Sequence, residues 1–413
     1  MSYSKSQKSP NIHDKLNPAL YVLSLSKLFK DMGTGMLAFL LPLYIVGMDS
    51  NIFSGTPIVF RAGLIATVFG LSNALSQPFL GRLSDSLDRR KPFVVLGMAG
   101  FTLISFIYAN TSNFDYMILL RVVQGITVGA TVPAIVAMVT HLSSKSTRGT
   151  AIGIYSTIRG FGFGTGSIAG GVIASYFGYV TAFYVCALLG LASFILISFF
   201  VSETQNVQSP SSSSKGPAKG FQFTILSIAM FMMMAGIMVI FAFLPEYESR
   251  LGTGEVALSI AVSAYVIVRV LFQAPMGILS DRLGRKKIIA MGLLLNIPIV
   301  IGLGYVENVT QLIILRAVQG ISMAAVETPV MALAVDLAGI SVSSKVSSIT
   351  ASQAAGMALG PIMGGFLAGY ISFELPFYLC ALMLVFSFLL VIMGIKEPTD
   401  PEVSTAGSIS VKL

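Results

Sequence analysis

The chain has 413 residues, 54% of them hydrophobic and only 11% charged. Soluble domains carry roughly 25% charged residues, so a soluble globular fold is excluded. The net charge of +8 raises nucleic acid as a partner, but the placement of Lys and Arg argues against it. They gather in the N-terminal tail, at 82–91, at Lys145, Arg148, Lys215 and Lys219, at 282–287, and at Lys345, Lys396 and Lys412. The intervening loops hold Arg61 and Arg250. That asymmetry is a topology signal, predicting a plasma-membrane protein with both termini in the cytoplasm.

Runs of about 20 apolar residues, long enough to cross a hydrocarbon layer of about 30 Å, recur along the chain. Twelve are predicted, near 18–46, 62–81, 92–110, 115–140, 150–174, 179–201, 221–245, 255–277, 288–305, 309–335, 346–370 and 373–395. The fold class is therefore an all-α membrane protein. No removable signal peptide is expected from the polar start. Trp is absent, so an interfacial belt is expected from Tyr21, Tyr44, Tyr108, Tyr116, Tyr176, Tyr179, Tyr247, Tyr305 and Tyr370. Cys186 and Cys380 fall inside apolar runs, where a disulfide is not expected.

The chain is a tandem duplication. Phe183-Tyr184-Val185-Cys186-Ala187-Leu188 matches Phe377-Tyr378-Leu379-Cys380-Ala381-Leu382, and Arg121-Val122-Val123-Gln124-Gly125-Ile126 matches Arg316-Ala317-Val318-Gln319-Gly320-Ile321. The predicted layout is a tail (1–17), a six-helix bundle (18–202), a Ser-, Pro- and Gly-containing linker (203–220), a second bundle (221–395) and a tail (396–413).

In the first helix Ser24, Lys27, Lys30, Asp31 and Thr34 share one face. Aligning Leu41-Pro42 with Leu244-Pro245 sets Asp31 opposite Met234, so the second half does not repeat these charges. A lone charge at mid-bilayer costs about 2.5–3.5 kcal/mol, so Asp31 should face a partner or a wet cavity. The alternative is a self-neutralising Lys27–Asp31 pair within the helix.

After the second run comes Gly81-Arg82-Leu83-Ser84-Asp85-Ser86-Leu87-Asp88-Arg89-Arg90-Lys91. A fuller copy, Gly277-Ile278-Leu279-Ser280-Asp281-Arg282-Leu283-Gly284-Arg285-Lys286-Lys287, follows the eighth run. The paired pattern resembles the signature loop of the major facilitator superfamily of transporters, and the chain is similar to its twelve-helix drug:proton antiporters. Ser86 and Asp88 depart from the family pattern, which favours a basic residue and Gly there. The resemblance implies two pseudo-symmetric six-helix bundles around a midplane site. It also implies a cytoplasmic gate involving Gly81, Asp85, Arg89, Gly277, Asp281, Arg282 and Arg285. Asp336, at the end of helix 10, is expected to hold Arg282 or Arg285. His141 stands in its place in the first half, with Asp88 as a relocated counter-ion.

On helix 4, the resemblance links Arg121 and Gln124 to proton coupling, with Asp31 as the available acid; a structural Arg bonded within its own bundle is the alternative, and is favoured for Arg316. Helix 5 carries Gly153, Gly162, Gly166, Gly170 and Gly171 at the spacing of the family's antiporter signature, with Ser167 where Pro is favoured. Close helix packing explains the same glycines. Arg159 on helix 5, and Tyr265, Arg269 and Gln273 at i+4 steps on helix 8, lie at depth. Together with Lys30 they form a candidate substrate site for an anion or carboxylate; pairing with Asp31 or Glu327 is the other reading. The Met residues of helix 7, Met234 among them, suit a greasy cavity wall or lipid-facing filler. On helix 10, Glu327 is the second deep acid, about 16 Å from Arg316 along the axis. It is either a coupling residue or a counter-ion for Arg269 or Arg159.

No metal cluster, nucleophile elbow or phosphate loop is present, nor any ATP-binding motif, so an enzyme is not expected and no cofactor or metal is called for. The expected function is secondary transport of a small organic solute by a monomer in the bilayer, most simply efflux in exchange for protons. Organic-anion uptake or exchange is the second reading, and a non-transporting receptor or lipid-handling protein the third.

Overall fold

The structure is a computed structural model that describes residues 18–143, 148–203, 220–338 and 342–396. The two tails, nearly all of the linker, Lys145, and the side chains of Arg148 and Lys345 lie outside the described residues. The first four helices are α1 (Pro18–Tyr44), α2 (Ile58–Ser86), α3 (Lys91–Tyr108) and α4 (Phe114–Leu142). Arg148–Phe200 is one helical run of 53 residues, interrupted at Gly178 with φ 83° and ψ 162°. Such a conformation favours glycine, and it divides the run into α5 (148–177) and α6 (179–200). Next comes α7 (Phe221–Leu251), which keeps helical dihedrals through Val239 where its two stretches join. The last five are α8 (Glu255–Leu283), α9 (Arg285–Leu303), α10 (Val309–Ala338), α11 (Val342–Tyr370) and α12 (Leu375–Gly394).

Ten helical runs among the described residues are long and apolar enough to cross a membrane. One of them is the run that Gly178 divides, and α11 is not among the ten. Dividing that run and including α11 brings the described helices to twelve, in the order expected from the apolar runs.

Packing repeats between the halves. In the first, α1 lies against α5 and α6, while α2 and α3 lie against α4. In the second, α7 lies against α11 and α12, while α8 and α9 lie against α10. The bundles meet along two main seams, α2 with α11 and α5 with α8, and the end of α7 also reaches α2 and α1. Glycine sets how close these seams come: a Cβ on Gly365 would stand 2.6 Å from the Val59 carbonyl oxygen, and one on Gly171 2.4 Å from Ser259 Oγ. Each seam carries a hydrogen bond. Ser263 Oγ donates to the Gly164 carbonyl at 2.7 Å, and the Ile362 N–H donates to Thr67 Oγ1 at 3.1 Å. Thr67 and Ser263 stand at the same offset as Gly81 and Gly277, so the two bonds are repeat counterparts. Tyr179 adds a bond to Glu255 at 3.1 Å. All these contacts lie at the helix ends away from the signature loops.

Two of the tyrosines expected in the interfacial belt are core residues instead. Tyr108 is fully buried and donates to Gln124, and Tyr247 is buried and donates to the Leu303 carbonyl. Their hydroxyls find partners inside a bundle, which removes the reason to sit at an interface. Tyr21, Tyr116, Tyr176, Tyr305 and Tyr370 are exposed. Cys186 and Cys380 are free thiols, buried at corresponding places: Cys186 Sγ lies 3.8 Å from the Gly33 carbonyl, and Cys380 packs beside Gly236.

Candidate functional site

The i, i+3, i+4 spacing of Lys27, Lys30 and Asp31 puts all three on one face of α1. They are 3–4% exposed. Lys27 Nζ donates to Asp31 Oδ1 at 2.7 Å, while Lys30 Nζ reaches the same oxygen at 3.4 Å. The ammonium of Lys27 lies 5.8 Å from the centre of the Tyr155 ring and that of Lys30 5.9 Å from Phe101. Asp31 Oδ2 has no hydrogen-bond partner. Arg159 on α5 is exposed and close enough to act electrostatically on all three groups. One carboxylate thus serves two buried ammonium groups, with a third, exposed cation nearby.

The second half builds a different cluster. Glu327 on α10 receives Arg269 Nη1 and Gln273 Nε2, both from α8 and both at 3.4 Å on Oε2. Its Oε1 receives Gln353 Nε2 from α11 at 2.9 Å. Side chains of Arg269 and Glu327 are 21% and 19% exposed, so this cluster is partly open where the first is shut. Gln353 had no part in the sequence reading. Its signal is faint: one amide three residues before Gly356. Met234 is 2% exposed within the hydrophobic core, so in this conformation it lines no open wall. Gly33 and Gly236 abut corresponding cysteines, which supports the alignment setting Met234 opposite Asp31.

Arg121 and Arg316 occupy matching networks. Arg121 Nη1 donates to Gln124 at 2.9 Å, its guanidinium lies 4.8 Å from the Phe69 ring, and Gln124 also accepts from Tyr108. Arg316 Nη1 donates to Gln319 at 2.5 Å and to the Ile237 carbonyl at 3.3 Å, with its guanidinium 4.6 Å from the Tyr265 ring. The expected Arg121–Asp31 pair is not made: Asp31 is taken by lysines of its own helix, and Arg121 is buried inside the bundle. Tyr265 stacks between Arg316 and Arg269, whose guanidinium is 5.8 Å from the ring, and is itself buried.

At the signature loops Arg285 bonds Asp281 at 3.4 Å and pairs with Asp336. Arg282 is exposed. In the first half Arg90, not Arg89, takes this role: it pairs with Asp85 at 2.6 Å and donates to the Ser84 carbonyl. The register shifts because residues 87–90 separate α2 from α3, whereas Gly284 alone separates α8 from α9. Arg89 is left exposed. Glu203, which had no part in the sequence reading, accepts through Oε1 from the backbone N–H groups of Arg90 and Lys91 at 2.8 and 3.0 Å.

The helix 5 glycines serve two neighbours. A Cβ on Gly162, Gly166 or Gly170 would meet α1, most tightly at Gly166, 2.1 Å from the Met32 carbonyl oxygen. Gly171 faces α8, as do Gly160 and Gly164, which the motif does not contain. Gly153 has open space around it, so close packing does not account for it. Ser167, in the Pro position, donates to the Gly35 carbonyl at 3.1 Å.

A model of the Major Facilitator Superfamily matches residues 23–225 and 226–412, one copy per half. The chain belongs to the major facilitator superfamily. Over 306 residues it is 25% identical to the multidrug resistance protein MdtG of Salmonella paratyphi A, covering 70% of this chain and 74% of that one. It is 27% identical over 181 residues to the quinolone resistance protein NorA of Staphylococcus aureus, covering 44% of each. Among solved structures, a bacterial homologue of the human lysosomal transporter Spinster, in an inward-facing and occupied conformation, superposes with a TM-score of 0.75. That match covers 91% of this chain and 95% of the other at 16% identity, and shows the fold alone. The protein is thus a multi-pass membrane transporter of small solutes, not an enzyme.

Proposed function

We propose that the protein exports a small organic solute in exchange for protons, in the plasma membrane with both termini in the cytoplasm. The observation that carries this reading is the pairing of two unlike ionic clusters on opposite bundles. Arg159 and Arg269 flank the point where Gly160 of α5 meets Val270 of α8, so both clusters border the same seam. Neither cluster repeats in the other half, so the duplicated scaffold does not require them. Proton exchange is assigned to the α1 cluster around Asp31 and to Glu327. Solute contact is assigned to the open groups, Arg159, Arg269, Gln273 and Gln353. Arg121, held with Gln124 and Tyr108, is a scaffold residue here. Seams closed at the helix ends away from the signature loops fit a midplane site reached from one side at a time. The names of MdtG and NorA support drug-like solutes.

The test is reconstitution into liposomes with an imposed pH gradient and a panel of cationic, zwitterionic and anionic fluorophores. Uphill movement of a cation or zwitterion is expected. Movement of none would remove transport by exchange with protons. A second reading, organic-anion exchange, is favoured by one feature: Lys27, Lys30, Arg159 and Arg269 outnumber Asp31 and Glu327. It predicts that anions alone move, and that Arg159→Ala and Arg269→Ala abolish their binding.

A further inference from the structure

We infer that the exchanged proton of the α1 cluster is carried by Lys30 rather than by a carboxylic acid. The inference rests on the proton-exchange reading and names the group within that site. Two ammonium groups 97% or more buried converge on a single carboxylate oxygen. Like charges sharing one counter-ion in a dry site cannot both stay ionised cheaply, as two carboxylates sharing a site hold one proton between them. Lysine, unlike arginine, gives up its charge readily in such surroundings.

The geometry says which lysine. Lys27 holds Asp31 at 2.7 Å, the length of a charge-assisted bond. Lys30 stands at 3.4 Å from the same oxygen, with the Phe101 ring as its other neighbour. The charges that bear on Lys30 are Lys27 and Asp31 on its own helix and Arg159 on α5. Tyr155 of α5 is the nearby phenol. Among the described residues, α2, α4, α6 and α7 add no charge that bears on it. Shedding one proton leaves a neutral Lys27–Asp31 pair beside the Lys30 amine.

The cycle follows from that balance. At the acid end of the pH range the empty site holds Lys30 as an ammonium, and the cluster repels cations. A cationic solute entering beside Arg159 drives the Lys30 N–H proton out to water on the exposed Arg159 side. The amine's freed lone pair then faces the solute. Solute cation and proton exclude each other, which is the requirement for one-for-one exchange.

The experiment measures ethidium affinity of the purified protein between pH 6 and 8. Wild type is expected to bind more tightly as pH rises, approaching about tenfold per pH unit at the acid end, where one proton leaves per cation bound, and levelling off at the alkaline end, where the empty site has already shed it. Lys30→Met should bind tightly with no pH slope, and Lys30→Arg weakly with no slope. A wild-type slope in Lys30→Met overturns the assignment. The second arm needs no solute: thermal stability of the empty wild type should rise from pH 6 to 9 as surplus charge is shed, and Lys30→Met should be flat. If the wild type ignores pH in ethidium binding, the proton-exchange reading falls, and the second arm still decides Lys30: a Lys30→Met profile that tracks wild type rejects it.

Discussion

The two bundles are copies in their packing and strangers in their charges. Arg121 with Gln124 and Phe69 in one is Arg316 with Gln319 and Tyr265 in the other, and Thr67 at one seam is Ser263 at the other. Yet α1 carries Lys27, Lys30 and Asp31 where α7 carries Met230, Met233 and Met234, and α10 carries Glu327 where α4 carries Val132. Groups that hold helices together are under the same steric and hydrogen-bonding demands in both halves, so they recur. Groups proposed to meet the solute and the proton need occur once, on whichever bundle offers them.

The largest effect is expected where a non-repeated charge is removed. Asp31→Asn strands two buried lysines and should cost about 3–5 kcal/mol of stability, read as a fall in thermal midpoint. Glu327→Gln, at a partly open site with two neutral amide donors, should cost far less. Equal losses would break the contrast between a shut and an open cluster. Next come the glycines. Gly166→Ala forces a methyl against the Met32 carbonyl and should cost about 1–3 kcal/mol, whereas Gly153→Ala should stay within about 0.5 kcal/mol.

The signature loops sharpen the comparison further. Arg90→Ala leaves the Ser84 carbonyl without its guanidinium donor and should destabilise by about 1–3 kcal/mol, while Arg89→Ala should be near neutral. The reverse order would restore the register expected from the sequence. Smallest are the seam hydroxyls. Thr67→Val and Ser263→Ala should each weaken the closed seams by about 0.5–1.5 kcal/mol. Spin-label distances across α2–α11 and α5–α8 should then show a few-fold gain in the population with those seams open. A response from one variant alone would mean the two bonds are not functional counterparts.

Much of this was readable from residue order because its causes are local or periodic. Twelve apolar runs follow from the thickness of a bilayer, the two halves from repeated strings around Cys186 and Cys380, and the α1 triad from helical spacing. Which partner each charge takes was not readable. Asp31 had several candidate companions, Arg121, Lys27, Arg159 and Arg269, and only packing could show that Arg121 is enclosed with Tyr108 and Phe69. Gln353 reaches Glu327 only because α11 lies beside α10, and Glu203 caps α3 only because α6 ends beside it. The shift from Arg89 to Arg90 depends on a turn whose length no periodicity encodes. Hydrophobic pattern and chain repeats determine how many helices there are and how they pair. The pairing of buried polar groups depends on distances of a few tenths of an ångström between helices far apart in sequence, and those exist only once the bundles are packed.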